Sequence, residues 1–210
     1  FLEAIEVMHE GVQNLVVPIK NQFESLYFNN VHHNNNTTYS WLTQENMLRY
    51  IFNSIRVFCP TASNPINTLG VIETQNLFAV CYDDPASSIL DLLALSLKSQ
   101  SPVAIVDPNG KFGGEISPAM LHSCDESIVP TIATLSVGDL AQLVKEKAEE
   151  ERRYKGIVSY PWNSLNLVLM KAVAHNMSYM WIVEKDGTLM GIVTFQGMLK
   201  VYRDHLMSMY

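Results

Sequence analysis

Hydroxyl side chains stand at three places where an apolar run gives way to a helix-like pattern. These residues are Thr43, Ser117 and Thr194. A hydroxyl at the start of a helix can accept a hydrogen bond from an unpaired backbone N–H group, and the same helix end attracts phosphate. For Ser117 and Thr194 the pattern is typical of a structural cap.

Patterns typical of catalysis are missing from the sequence. There is no Gly-x-Ser-x-Gly motif, no glycine-rich phosphate loop, no spacing of metal ligands and no carboxylate pair at a predicted strand end. Two adjacent histidines, His32 and His33, lie in a polar, asparagine-rich stretch, which favours a solvated loop over a metal site. We therefore expect no catalytic residue and no bound metal.

Composition limits the partners. Aspartate and glutamate outnumber lysine and arginine by 21 to 14, and the formal net charge of −7 argues against nucleic-acid binding, which needs a dense cationic surface. The longest apolar stretches, such as 89–97, are far shorter than the roughly 20 residues of a membrane span. Three cysteines without metal-like spacing indicate free thiols in a reducing compartment. We expect an intracellular protein of the cytoplasm that binds neither membrane nor nucleic acid.

The chain repeats itself with an offset of 77 positions. Residues 87–103 align with 164–180, and beyond them Gly110 aligns with Gly187 and Gly114 with Gly191. In each copy a short apolar run precedes a helical pattern, a second apolar run, a tight turn, a return strand and a further helix. The repeated unit is therefore predicted to be β-α-β-β-α.

Helical spacing assigns a core-facing side to the first helix of each copy. The predicted buried residues are Leu90, Leu93, Ala94 and Leu97 in one copy, and Leu167, Met170 and Ala174 in the other. Outside the repeat, Ser136 followed three residues later by Asp139 predicts the capped start of another helix.

A third copy opens the chain. Residues 3–19 are typical of a helix followed by a strand, and 39–55 of a return strand followed by a helix, with a polar insertion at 20–38 replacing the tight turn. This copy lacks its leading strand. We predict an α/β protein whose three repeats occupy 1–64, 65–146 with trailing helices, and 147–210.

Two phrases, "PVAIVDPNGKFGGEIS" and "YMWIVEKDGTLMGIVTFQGML", carry a family resemblance. The arrangement resembles the CBS domain, named after cystathionine β-synthase. It looks like the plant CBSX group and, more distantly, the γ subunit of AMP-activated and SNF1-related kinases. The resemblance implies tandem βαββα repeats that pair through their sheets with pseudo-twofold symmetry, the second repeat with the third. Because such proteins carry four units, it also implies that the first repeat pairs with a unit preceding Phe1, or with another chain.

The resemblance also implies a ligand. Paired CBS units commonly bind adenosine nucleotides such as AMP or ATP in the crevice between them, where a Gly-h-h-Thr/Ser-x-x-Asp pattern contacts phosphate and ribose. The tentative ligand-binding residues that match this pattern are Thr43, Asn46, Ser117 and Thr194. The aspartate itself is replaced by Asn46, Met120 and Gly197. Each lost charge-assisted contact costs about 1.5–3 kcal/mol of binding free energy.

Two functions remain open on these grounds. The first is a non-catalytic regulatory module that senses an adenosine derivative and modulates a protein partner. The second is a degenerate CBS scaffold that serves protein–protein interaction or homodimerisation without binding a nucleotide. The retained hydroxyls favour the sensor, whereas the missing aspartates favour the scaffold.

Overall fold

The structure is a computed structural model that describes residues 2–19, 38–58, 60–75, 77–122, 126–149 and 157–208. His32, His33, Cys59 and Cys124 lie outside these residues, and Cys81 is a half-buried free thiol. The helices are α1 Leu2–His9, α2 Gln44–Phe58, α3 Leu90–Ser99, α4 Pro118–His122, α5 Val129–Ile132, α6 Val137–Glu149, α7 Leu165–Ala174 and α8 Phe195–Met207. The strands are β1 Asn14–Ile19, β2 Thr38–Thr43, β3 Ala79–Cys81, β4 Val103–Val106, β5 Phe112–Ile116, β6 Val158–Ser159, β7 Tyr179–Val183 and β8 Leu189–Thr194.

The element order confirms the predicted repeat. The second copy runs β3-α3-β4-β5-α4 and the third runs β6-α7-β7-β8-α8, so both are βαββα, while the described part of the first copy runs α1-β1-β2-α2. Short 3₁₀ turns at Pro60–Ser63, Ile66–Thr68, Ala86–Ile89 and Glu126–Ile128 join some of these elements. No helix among the described residues is long and apolar enough to cross a membrane.

The chain divides into two compact units. The first contains Phe1–Asn64, Leu165–Ser178 and Thr194–Tyr210, and the second contains Pro65–Ser164 and Tyr179–Val193. The helices of the third repeat, α7 and α8, thus belong to the first unit, and its β6-β7-β8 sheet belongs to the second. The repeat boundaries at 64/65 and 146/147 stay predictions from the sequence.

The first unit places a β1–β2 hairpin beside α1, α2, α7 and α8. Helix α8 packs on α1 and on α2. Two glutamine side chains donate hydrogen bonds to carbonyl groups at the end of α1. Gln44 Nε2 donates to the Met8 carbonyl at 3.1 Å, and Gln196 Nε2 donates to the His9 carbonyl at 2.6 Å. The fully buried side chains include Ile5, Met8, Leu48, Leu165, Val168, Leu169, Met198, Leu199 and Tyr202.

The second unit holds two three-stranded sheets, ordered β3-β4-β5 and β6-β7-β8. In the first sheet β3 is parallel and β5 antiparallel to β4, and in the second sheet β6 is parallel to β7. A hydrophobic core links the β3-β4-β5 sheet to the surrounding helices through Ala86, Ile89, Leu93, Val103, Ile105, Ile116, Met120, Ile128, Val137, Leu140 and Val144.

The two sheets meet symmetrically at their hairpin turns. Lys111 forms an antiparallel β-bridge with Thr188, which is its own counterpart in the 77-residue repeat. The flanking bonds run from the Phe112 N–H to the Gly187 carbonyl at 3.0 Å and from the Leu189 N–H to the Gly110 carbonyl at 2.9 Å. The repeat offset exchanges these two bonds, so a pseudo-twofold axis passes through the bridge. The predicted pairing of the second and third repeats through their sheets is confirmed.

The hairpin turns follow the sequence prediction. Gly110 and Gly187 have φ of 77° and 92°, a region that glycine reaches without strain. The Asp107 carboxylate accepts the Asn109 N–H and the Lys111 N–H, each at 2.8 Å, and the bond from Lys111 is the main cause that lowers the Asp107 pKa. In the second turn the Asp186 carboxylate accepts the Thr188 N–H at 3.0 Å, so hydrogen bonds between neighbouring residues stabilise both turns.

The helix capped by Ser136 and Asp139 is also confirmed. Ser136 Oγ accepts the Asp139 N–H at 3.1 Å, and Asp139 Oδ2 accepts the Ser136 hydroxyl at 2.8 Å and its N–H at 3.4 Å. This reciprocal box satisfies backbone donors at the start of α6.

The predicted core faces of α3 and α7 are largely wrong. Of the residues expected to be buried, Leu93 is buried, but Leu90, Ala94, Leu97, Leu167, Met170 and Ala174 are exposed. The buried residues of α7 are instead Leu165, Val168, Leu169 and Ala172. Both helices carry apolar residues around most of their circumference, so spacing alone is compatible with more than one buried face.

Candidate functional site

Thr43 and Asn46 form a reciprocal cap where β2 passes into α2. Asn46 Oδ1 accepts the Thr43 N–H at 3.1 Å and the Thr43 hydroxyl at 2.8 Å, while Thr43 Oγ1 accepts the Asn46 N–H at 3.0 Å. The structure therefore brings these two predicted site residues into contact with each other. Their hydrogen bonds satisfy N–H groups that the first turn of a helix leaves without partners.

Ser117 and Thr194 act in the same way. Ser117 is buried after β5, and its Oγ accepts the Met120 N–H at 3.3 Å. Thr194 ends β8, and its Oγ1 accepts the Gly197 N–H at 3.1 Å as the N-cap of α8. Each hydroxyl oxygen thus caps the start of the following helix by accepting the N–H group three residues later. A hydroxyl that accepts one bond still carries a donor hydrogen and a second lone pair, so this role does not by itself prevent contact with a ligand.

The positions of the missing aspartate differ in surroundings. Met120 is 2% exposed and belongs to the core of the second unit. Gly197 offers only its backbone, whose N–H is taken by Thr194. Neither position supplies the carboxylate that would accept two ribose hydroxyls.

A cavity of about 410 Å³ lies in the second unit beside the β5–α4 junction. Its volume falls in the range of small-molecule sites. The lining residues are Tyr82, Ile105, Phe112, Gly113, Gly114, Glu115, Met120, Gly138, Ala141, Gln142, Lys145 and Val158. They come from strands of both sheets, from α4 and α6, and from the turn after β3. None of the four predicted site residues lines this cavity; Ser117 lies between the lining residues Glu115 and Met120 in the chain.

Gly114 in the cavity wall and its repeat counterpart Gly191 have different surroundings. A Cβ added to Gly114 would meet no atom within 4 Å. A Cβ added to Gly191 would lie 2.5 Å from the Glu73 carbonyl oxygen. The seal exists because Glu73 pairs with Ile192 through two backbone bonds of 2.8 and 3.0 Å. The crevice position in the second repeat is therefore open, and the corresponding position in the third repeat is covered.

Glu115 is a buried carboxylate in the cavity wall. Its Oε1 accepts the Tyr179 hydroxyl at 3.1 Å, and its Oε2 accepts the Trp181 indole N–H. Burial raises the pKa of the Glu115 carboxyl, and the two hydrogen bonds offset part of that rise. The sequence reasoning did not single out Glu115, although an acidic residue inside the apolar return strand Phe112–Ile116 is a signal that could have identified it.

Aromatic rings surround this carboxylate. Trp181 is 1% exposed and lies 5.5 Å from Phe112 and 6.1 Å from Tyr179, measured between ring centroids. Tyr179 and Trp181 therefore hold the Glu115 carboxylate by hydrogen bonds, and Phe112 lines the cavity. Across the described part of the chain, no three His, Cys, Asp or Glu side chains gather in a way that could hold a metal ion.

Comparison with known proteins places this geometry in a family, although no family model matches the sequence. The chain is 30% identical to the CBS domain-containing protein CBSX5 of Arabidopsis thaliana over 277 residues, covering 98% of this chain and 71% of that protein. Protein MJ1225 of Methanocaldococcus jannaschii, described as a putative archaeal homologue of the AMPK γ subunit, has the same fold, with a TM-score of 0.59, 16% identity, and coverage of 95% of this chain and 63% of that one. Arabidopsis CBSX2, solved in complex with AMP, has a TM-score of 0.50 with 21% identity, covering 70% of this chain and 99% of that one. The chain therefore belongs to the CBS domain-containing proteins, as a tandem CBS protein related to the plant CBSX group.

Proposed function

We propose that the protein is a non-catalytic regulatory CBS module that senses an adenosine-type ligand in the second-unit cavity and modulates a protein partner in the cytoplasm. The cavity of about 410 Å³ beside the β5–α4 junction is the observation that carries this proposal. Its lining includes Glu115 and Met120, which flank the predicted ligand residue Ser117 in the chain, and it has the size of a small-molecule site.

The lining favours a nucleoside as the ligand class. Phe112 and Tyr82 offer aromatic surface to a base, and the side-chain-free strand at Gly113 and Gly114 lets a ligand approach the backbone. AMP bound to the related CBSX2 supports the same class. Without the aspartate that Met120 replaces, ribose would be held less strongly, so we expect weaker binding than in a site with the full pattern.

One observation favours the scaffold as a second candidate function. The hydroxyls of Thr43, Ser117 and Thr194 all cap helices, which is sufficient reason for them to be present without any ligand. On this alternative, the sheet and helix faces would bind a partner protein or a second copy, and the cavity would hold only water.

Calorimetric titration with AMP, ATP, adenosine and S-adenosylmethionine tests the proposal. Saturable binding of one of these compounds, lost in a Gly114→Val variant that keeps the wild-type melting temperature, would support the cavity as the site. A Cβ added at Gly114 meets no atom within 4 Å, so the valine side chain starts in open space and takes up volume in the cavity wall.

Thr194→Ala is the matched variant outside the lining. Binding lost in Thr194→Ala but retained in Gly114→Val would move the site to the β8–α8 junction and contradict the cavity assignment. Flat traces with all four compounds would leave the scaffold.

A further inference from the structure

The cavity of the second unit contains a carboxylate that can accept more hydrogen bonds than it receives. Glu115 lines the cavity and is 8% exposed. Among the described residues its hydrogen-bond donors are the Tyr179 hydroxyl, at 3.1 Å from Oε1, and the Trp181 indole N–H, at Oε2. A carboxylate offers about four lone-pair sites, so these two donors occupy about half of them. The other sites can accept hydrogen bonds from a ligand.

Packing alone is a poor explanation for a carboxylate at this position. Both donors are neutral, and burying a carboxylate away from water costs free energy that neutral hydrogen bonds offset only in part. Burial accordingly raises the pKa of the Glu115 carboxyl. A glutamine of the same length would also accept a hydrogen bond from a ring donor, without that cost. A donor brought by a ligand explains the carboxylate better.

The counterpart of Glu115 in the third repeat supports this interpretation. The offset of 77 positions aligns Glu115 with Ile192 and Gly114 with Gly191. Ile192 is 7% exposed and exchanges two backbone hydrogen bonds with Glu73, whose backbone covers that strand position. The carboxylate therefore stands in the repeat whose strand position is open, and an apolar side chain stands in the repeat whose strand position is covered.

The lining beside Glu115 suits the approach of a nucleoside. Gly113 and Gly114 have no side chains, and a Cβ added at Gly114 would meet no atom within 4 Å. Phe112 also lines the cavity and offers an aromatic ring to a base. Adenosine carries two kinds of donor for a carboxylate, the amino group of its base and the two hydroxyls of its ribose. Hydrogen bonds from such donors are stronger when the acceptor is ionised.

We propose that Glu115 is the residue that selects the ligand in this cavity. Its carboxylate accepts hydrogen bonds from donor groups of the nucleoside, either the amino group of the base or the hydroxyls of the ribose. This inference rests on the proposed function and names the residue that recognises its ligand. It assigns to strand β5 the carboxylate that Met120, on helix α4, does not supply.

Calorimetric titration with adenosine and two analogues tests the inference. The compound 2′,3′-dideoxyadenosine lacks the ribose hydroxyls, and 6-dimethylaminopurine riboside lacks the amino hydrogens. A hydrogen bond to an ionised acceptor contributes a factor of roughly 10 to 150 in affinity. The wild type should therefore bind one of the two analogues at least about 10-fold more weakly than adenosine. The analogue that binds weakly identifies the donor that Glu115 contacts.

Substitution of Glu115 separates ligand selection from structural support. In Glu115→Gln the preference for adenosine over that analogue should largely disappear, because the charged acceptor is removed while the side-chain length is kept. Glu184→Gln, at an exposed acidic residue outside the lining, should keep the wild-type preference. Melting temperatures check that each variant is folded, and Glu115→Met replaces Glu115→Gln if the glutamine variant does not fold.

The pattern of affinities decides the outcome. Equal affinity of the wild type for adenosine and both analogues would overturn the inference. So would a Glu115→Gln variant that binds all three compounds more weakly by the same factor, as a purely structural role requires. In both cases, adenosine binding that is lost in Gly114→Val would leave the proposed function standing. Absence of adenosine binding to the wild type would also overturn the inference, and titration with AMP, ATP and S-adenosylmethionine would then show whether the proposed function fails as well.

Discussion

Alanine at two equivalent glycines should change the free energy of unfolding in opposite directions. At Gly191, the new Cβ lies 2.5 Å from the Glu73 carbonyl oxygen and 2.7 Å from Ile72 Cγ2. The backbone of Glu73 must move by several tenths of an ångström, which weakens the two bonds it shares with Ile192. Overpacking costs about 1–3 kcal/mol, and each weakened bond up to about 1 kcal/mol, so we expect a loss of roughly 2–4 kcal/mol.

At Gly114 the same substitution meets open space. The Cβ has no neighbour within 4 Å, and no strained backbone angle is present. Replacing glycine within a strand reduces the entropy of the unfolded chain, so Gly114→Ala should stabilise the protein by about 0.4–1 kcal/mol.

Thermal melts of the two alanine variants and the wild type provide the measurement. A change of 1 kcal/mol corresponds to about 2–4 °C in Tm for a chain of this size, so Gly191→Ala should lower Tm by roughly 4–16 °C while Gly114→Ala raises it slightly. Equal destabilisation by both substitutions would refute the reasoning, since it would mean that the covered and open strand positions do not differ.

Three further outcomes follow from individual side chains. Burial raises the pKa of Glu115 above its unfolded-state value of about 4.5, so its contribution to stability is complete below that value and is lost as pH rises through the folded-state pKa. The Tm of Glu115→Gln relative to that of the wild type should therefore increase as pH rises from about 4.5. Ser136→Ala should lower the free energy of unfolding by about 0.5–2 kcal/mol in urea titrations, and a double-mutant cycle with Asp139→Ala should show coupling, because the two side chains form one cap. Thr194→Ala should cost about 1 kcal/mol by the same assay through the lost bond to the Gly197 N–H, and a Thr194→Ser variant should recover most of it.

Features that depend on neighbouring residues could be predicted from the sequence. The turns at Gly110 and Gly187, the Ser136–Asp139 cap and the βαββα order each follow from short-range chemistry or from the duplicated pattern. The faces of α3 and α7 could not, because apolar residues on nearly every side leave the choice to tertiary packing.

In the candidate site, too, local features could be predicted from the sequence and long-range contacts could not. The hydroxyls of Ser117 and Thr194 were expected to be either caps or ligand contacts, and the structure gives each a capping bond. What distinguishes the open crevice from the covered one is the pairing of Glu73 with Ile192, between residues more than a hundred positions apart. No local pattern announces such a contact, and the burial of Glu115 against Trp181 is equally long-range.

Duplication of a repeat ordinarily yields two equivalent clefts, but in this protein the two equivalent strand positions differ: the one at Gly114 is open and the one at Gly191 is covered. The backbone of Glu73 occupies the edge of β8 that would otherwise mirror the cavity edge of β5. Under the proposed function, this pair of sheets should accordingly bind one ligand molecule, at the open β5 position. If the proposed ligand binds there, its binding curve should be hyperbolic.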